Sequence, residues 1–286
     1  MKNQKKDILL YLAFIQLCRK WEWLLRTGIC NLFQKSHKIL PRRKYFTEVM
    51  KLVGKKAEAD YEFYKNEVLL NTFLKRNYLN AINTGQLNKK YKNYDDRFNN
   101  EANVVHYYAL LREIQPKIVV ETGTASGSMT SWMLAALHKN GHGKLISIDL
   151  PAVQGKLTMD ITVEKGKAGF LIPHEFHDQW ELLLGDAKIL LPKILSEYDV
   201  DIFVHDSLHT RTHMLYEYQA ARTLMSPGSI IMSDDILWNG VFFDFVASNH
   251  LTSLGCISNP NLGITINSFD EYESTIGVGI IKNFSQ

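Results

Sequence analysis

At 286 residues and 45% hydrophobic content, the chain is long enough for one large or two small domains with a proper core, which excludes a disordered or fibrous class. Cys18, Cys30 and Cys256 form no Cys-x-x-Cys pair and leave an odd count, which argues against a disulfide framework or zinc knuckle and for a reducing, cytoplasmic compartment. The net charge of +3 hides an asymmetry: residues 1–56 hold 14 of the 33 basic and 3 of the 30 acidic residues, so they carry +11 and the remainder −8.

In residues 8–33, Leu10, Phe14, Leu17, Trp21 and Leu24 recur at alternating steps of four and three, which predicts a helix with a continuous apolar stripe. Arg19, Lys20 and Arg26 lie off that stripe. The uncharged run from Ile8 to Leu17 is shorter than the roughly 20 apolar residues of a bilayer span. The favoured reading is a helix packed on the rest of the chain or on a second subunit, and a homo-oligomer is expected. The other reading is a helix lying on an anionic membrane, helped by Lys2, Lys5, Lys6, Arg42, Arg43 and Lys44, which would give peripheral membrane association. The same charge could meet nucleic acid, but no recognised nucleic-acid module is present, so no such partner is expected. Residues 55–79 read as a second helix, 80–100 as a polar connector or site cover, and 101–114 as a helix ended by Pro116. Residues 1–100 are thus a basic helical N-terminal extension, and 101–286 form a second, larger domain.

From Lys117 onward strands and helices alternate, which implies a mostly parallel sheet. Strands are expected at 117–122, 144–149, 180–185, 200–206 and 229–234, with helices between them. Residues 151–179 break the rhythm, and Lys156, Gly166, Lys167 and Gly169 suggest an irregular loop beside a ligand. Two last strands, 263–269 and 275–281, are joined by Asp270 and Glu271, and form a hairpin closing the sheet edge.

The chain is organised around residues 118–130. Ile118, Val119 and Val120 form a buried strand ending on Glu121; Gly123 and Gly127 bracket a tight turn containing Ser126; a helix begins at Ser128. Such glycines let a ligand approach the backbone where a side chain would collide, and free N–H groups at the helix start face it. The Gly-x-Gly-x-x-Gly pattern of dinucleotide folds is missing. The spacing Glu-x-Gly-x-x-x-Gly instead resembles the first motif of class I S-adenosylmethionine (SAM) methyltransferases, in which the acidic residue and the turn hold the methionine end of the cofactor. Asp149, at the tip of the next strand, stands where such folds grip ribose hydroxyls. Asp186 follows Gly185 where that family contacts the adenine amino group; capping the following helix is nearly as good an account.

All five expected strand tips are acidic: Glu121, Asp149, Asp186, Asp206, and Asp234 with Asp235. Asp206, Asp234 and Asp235 would converge from neighbouring strands. Clustered carboxylates repel and raise one another's pKa, a problem that a hard cation such as Mg2+ or Ca2+ resolves. Arg211 and Arg222 are the nearby alternatives for neutralisation. His209, three residues after Asp206, is the candidate proton acceptor. His205 reads as a core histidine and His213 as a surface or supporting one.

The segments Glu-Thr-Gly-Thr-Ala-Ser-Gly, Ser-Ile-Asp-Leu-Pro, His-Asp-Ser-Leu-His-Thr and Ser-Asp-Asp-Ile-Leu-Trp-Asn, between Glu121 and Phe245, resemble the metal-dependent class I SAM methyltransferases labelled cephalosporin hydroxylase-type or methyltransferase family 24. The resemblance implies a Rossmann-like, seven-stranded sheet with its last strand antiparallel. It also implies SAM at Glu121, Gly123, Ser126, Gly127, Asp149 and Asp186, Mg2+ at Asp206, Asp234 and Asp235, and His209 as base. The expected activity is O-methylation of a small molecule or glycan, with a sugar hydroxyl favoured over a phenol. The rivals are a SAM- or nucleotide-binding, non-catalytic component of a biosynthetic complex, and a nicotinamide-dependent oxidoreductase.

Overall fold

A computed structural model of the chain describes residues 39–40, 42–54, 61–87, 104–150, 168–236, 239–251, 253–257 and 277–282. In chain order they form β1 (Ile39–Leu40), α1 (Arg42–Leu52), α2 (Tyr61–Leu69), α3 (Thr72–Asn83), α4 (Val104–Ile114), β2 (Ile118–Thr122), α5 (Ser128–Asn140), β3 (Lys144–Asp149), a 3-10 helix (His174–Gln179), β4 (Trp180–Leu184), α6 (Ala187–Glu197), β5 (Ile202–His205), α7 (Arg211–Leu224), β6 (Ile230–Ser233), α8 (Val241–Ser248), β7 (Ser253–Ile257) and β8 (Gly277–Lys282). One sheet joins all eight strands in the order β1-β7-β8-β6-β5-β2-β3-β4. The five strands from β4 to β6 are parallel, and β8 runs antiparallel to both β6 and β7.

The β-branched runs are central strands because both faces of the sheet are covered. Val119, Leu145, Ile202, Val204 and Ile230 enter one apolar cluster with α4 and α5, whereas Val120, Ile146, Phe203 and Ile231 enter another with α6, α7 and α8. Adjacent residues thus point to opposite layers, the period of two that a pleated strand imposes. Register then aligns the tips. Glu121 pairs with Ser147 and Val204, Thr122 with Ile148 and His205, and His205 with Ser233. The residues just beyond, Asp149, Asp206 and Asp234, therefore emerge along one rim.

The N-terminal helices share the first cluster: Phe46, Val49 and Met50 of α1, Tyr64 and Val68 of α2, and Leu74, Tyr78 and Ala81 of α3 are buried in it beside Tyr107, Tyr108 and Leu111 of α4. The single helix expected over 55–79 is two among the described residues. It breaks after Leu69, and Asn71 accepts the Leu74 N–H at 3.0 Å, the usual N-cap bond. The sheet also departs from seven strands. The two-residue β1 adds an edge beside β7, and the partner of β8 is Ser253–Ile257, where Gly255 and Ser253 blunt the strand signal. The expected strand 263–269 and the helix 8–33 lie outside the described residues, as do 88–103 and 151–167. Among the described residues no helix is long and apolar enough to cross a membrane.

Candidate active site

The turn after β2 is built by packing. Gly123 has φ +89 and donates its N–H to the Ile148 carbonyl at 2.8 Å. A Cβ there would collide with the carbonyl of Asp206, so glycine lets the loop after β5 lie directly on the turn. Gly127, φ +81, meets Gly169 and Ile172 in the same way. At both glycines the space that a Cβ would need is occupied by protein backbone and side chains. Gly127 also caps α5 without a side chain, which leaves the N–H groups of its first turn at the rim. Ser126 accepts the Leu171 N–H at 2.9 Å and Ala125 that of Gly169 at 2.9 Å.

Residues 168–176 are held in turn by α3. Arg76 grips Glu175 through both carboxylate oxygens at 2.6 and 2.7 Å, Asn77 donates to the Phe170 carbonyl, and Phe73 meets Phe176 edge to face at 5.9 Å.

Glu121 is wholly buried. Thr130 donates to it at 2.9 Å and Ser147 at 2.7 Å, and Trp180 in turn donates to Ser147 at 3.0 Å. Burial pushes its carboxyl up to about 8, with the two hydroxyls opposing and the charge of Asp149 adding to the rise. The side chain thus pins α5 to β3 behind the turn. Asp149 lies beyond it and accepts the Ala125 N–H at 3.2 Å; burial raises its pKa, against the hydrogen bonds from the Ala125, Leu150 and Thr124 backbones. Asp186 caps α6 by accepting the Lys188 N–H at 2.8 Å.

At the other half of the rim, His209 Nε2 stands 3.5 Å from Asp235 Oδ2 and 3.9 Å from Asp206 Oδ1. Asp235 adopts φ +50, a left-handed conformation that a non-glycine residue seldom takes and that redirects its side chain relative to Asp234. Burial, followed by the charges of His205 and His213, lowers His209 to about 3 against the opposing charge of Glu217, so its ring is uncharged near neutrality. Among the described residues no group of three or more His, Cys, Asp or Glu side chains is disposed to hold a metal ion. Of the expected metal set Asp206, Asp234 and Asp235, Asp206 and Asp235 are the two that approach His209. Two acids on consecutive residues leave a strand in different directions, and Asp206 and Asp235 converge on the His209 imidazole.

Two further residues shape this site: Asn239, which ends the Ser-Asp-Asp-Ile-Leu-Trp-Asn segment but has no role assigned from sequence, and Glu217, which no sequence motif includes. Asn239 donates to the His209 carbonyl at 2.9 Å and accepts the Val241 N–H at 3.0 Å. Glu217 is buried beneath the rim, where it binds His205 and His213. Its spacing of four from His213 on one helix was the available signal.

Residues 120–236 match the sequence model of a family described as a methyltransferase domain. The segment runs from the glycine turn through Asp235, so it contains the whole rim. The rim therefore lies within a segment that is similar to a methyltransferase domain. Among solved structures, the chain resembles a protein of Klebsiella pneumoniae provisionally described as an O-methyltransferase, at 16% identity and TM-score 0.50, over 75% of this chain and 91% of that one. It also resembles the O-methyltransferase TomG of Streptomyces achromogenes, involved in tomaymycin synthesis and solved with SAM, at 16% identity, TM-score 0.48, 75% and 91%. An O-methyltransferase of Bacillus cereus solved with S-adenosylhomocysteine follows at 13%, 0.47, 74% and 91%. At such identity the likeness speaks to fold alone, and the first of the three carries that argument. None of the curated proteins compared matches the chain.

Proposed function

We propose that this chain is a SAM-dependent methyltransferase that transfers the SAM methyl group to a hydroxyl oxygen, with His209 as proton acceptor. The observation that carries this reading is the convergence of His209, Asp206 and Asp235 beside the glycine turn, with Gly123 packed on the Asp206 carbonyl. Turn and base are thereby parts of one rim. An uncharged imidazole has a lone pair for the proton of a bound hydroxyl; burial disfavours the imidazolium that forms, and the carboxylates of Asp235 and Asp206 at 3.5 and 3.9 Å oppose that cost. The oxygen lone pair forms the new C–O bond as the C–S bond breaks, its electrons going to sulfur to leave S-adenosylhomocysteine. Alignment of the two reactants supplies most of the acceleration. Asp149, beyond the turn, is placed for the ribose hydroxyls.

A sugar or glycoside hydroxyl is the favoured acceptor and a phenol the second. This choice rests on the sequence resemblance, as does the involvement of Mg2+. Asp206, Asp234 and Asp235 would hold the cation, which would favour loss of the proton from a bound hydroxyl. A chelator titration decides the point: turnover lost in excess chelator and restored by Mg2+ would put a cation at Asp206 and Asp235 and require these side chains to move. Membrane contact through residues 8–33 is a separate part of the proposal, tested by sedimentation with acidic vesicles.

Calorimetry with SAM, S-adenosylhomocysteine and NAD tests the core reading, followed by methyl transfer from labelled SAM to panels of glycosides and phenols. Binding of the first two ligands, with transfer lost in His209→Ala, is expected. Tight NAD binding without a response to SAM overturns the reading.

A further inference from the structure

Glu217 of α7 is wholly buried and accepts four hydrogen bonds. Thr122 Oγ1 at 2.7 Å and His205 Nδ1 at 2.5 Å meet one oxygen; Ser207 Oγ at 3.0 Å and His213 Nε2 at 2.8 Å meet the other. Burial alone would push this carboxyl up, but the charge and hydrogen bonds of His205, with those of His213, outweigh it and hold the group well below the usual carboxylate range. An ionised carboxylate only accepts, so His205 donates from Nδ1 and His213 from Nε2.

The placement of these partners matters more than their number. Thr122 ends β2, His205 ends β5, and Ser207 lies between Asp206 and His209 in the loop that forms the rim. His205 Nε2 is buried and has no hydrogen-bond partner among the described residues, so the bond to Glu217 is the polar anchor that sets the rotation of this ring. That ring meets His209 edge to face, with centroids 5.3 Å apart at 71°, and packs on Tyr218 at 5.5 Å on another side. One buried carboxylate thus controls both the loop two residues before His209 and the wall on which the His209 ring rests. Stability does not demand such a device, since apolar side chains of similar volume commonly replace a buried ionic cluster at no loss.

We infer that Glu217 is a positioning residue for His209, acting through Ser207 and the His205 ring. The inference rests on the proposed role of His209. Glu217→Gln keeps the volume but leaves one acceptor oxygen for four donors. Ser207→Ala, at a partly exposed site, removes only the link to the loop. Both variants are compared with wild type for kcat, SAM affinity, and the imidazole 15N resonances of histidine-labelled protein, with His209 assigned through His209→Gln. The expected result is a displaced His209 resonance in both variants, a kcat reduced by about 10²-fold in Glu217→Gln, the scale of a 1 Å misplacement, and unchanged SAM affinity. A purely structural Glu217 would lower the melting temperature and leave the kcat and the His209 resonance of folded protein as in wild type, which overturns the inference. Should Glu217→Gln not fold, Ser207→Ala decides alone. Wild type that binds no SAM would sink the proposed function, while the resonances would still judge the positioning role.

Discussion

The side-chain amide of Asn239 donates to the main-chain carbonyl of His209 at 2.9 Å and places its nitrogen 3.1 Å from the sulfur of Met214. Its oxygen accepts the Val241 N–H, so one amide ties the start of α8 to the loop that carries the proposed base. Asn239→Ala leaves a nearly buried carbonyl and N–H short of partners, at a cost of about 1–3 kcal/mol each where water cannot enter. The expected outcome is a lower midpoint in chemical denaturation, with turnover reduced more than SAM affinity. Equal turnover at equal concentrations of folded protein would remove Asn239 from the site.

Glu121 makes stability depend on pH in an unusual direction for an acid. Its carboxyl is raised from 4.5 to about 8, so between these values the unfolded chain has lost a proton that the native state keeps. The contribution is fully present below pH 4.5 and is lost as pH rises through about 8, with a slope no steeper than roughly 1.4 kcal/mol per pH unit. Glu121→Gln should flatten that slope and match or exceed wild type at pH 8. Urea titrations across the interval measure it, and a slope of the opposite sign would show that Glu121 is ionised in the native state.

Gly123→Ala tests the contact between turn and loop. The left-handed backbone alone costs an L-residue about 1–2 kcal/mol, and the Asp206 carbonyl must also move away from the new methyl group. Reduced thermal stability and weakened SAM binding are expected together, read by calorimetry. An alanine protein that binds SAM normally would uncouple the two.

Asp206→Ala and Asp235→Ala should abolish most turnover while SAM still binds, and His209→Ala should act likewise. Asp149→Ala should do the reverse and weaken SAM first. Single-turnover assays at saturating SAM separate the two classes. Full activity in both acid variants would refute the rim as the reaction centre.

The parallel core was legible because Val119, Val120, Ile202 and Ile231 sit in uncharged β-branched runs, and because every tip ended in an acid. What the sequence hid was direction. Asp234 and Asp235 read as a pair, yet the positive φ of Asp235 turns it to His209, and no periodicity reports a single dihedral. Glu217 hid for the opposite reason: a charged residue in an amphipathic helix ordinarily faces water, and its burial depends on three donors brought from β2, β5 and the following loop. A packing reason for Gly127 is also hidden from local sequence, since its neighbours Gly169 and Ile172 lie more than 40 positions away.

The strap from Arg76 to Glu175, continued by Asn77 to Phe170 and by Leu171 to Ser126, carries a consequence for how little of the chain can stand alone. The family segment 120–236 includes the wall that fills the Gly127 notch but not the helix that holds the wall from outside. Limited proteolysis should accordingly stall ahead of α1, whose Phe46, Val49 and Met50 share the core, and a fragment trimmed to the matched borders should lose its grip on the nucleoside donor before it loses its sheet.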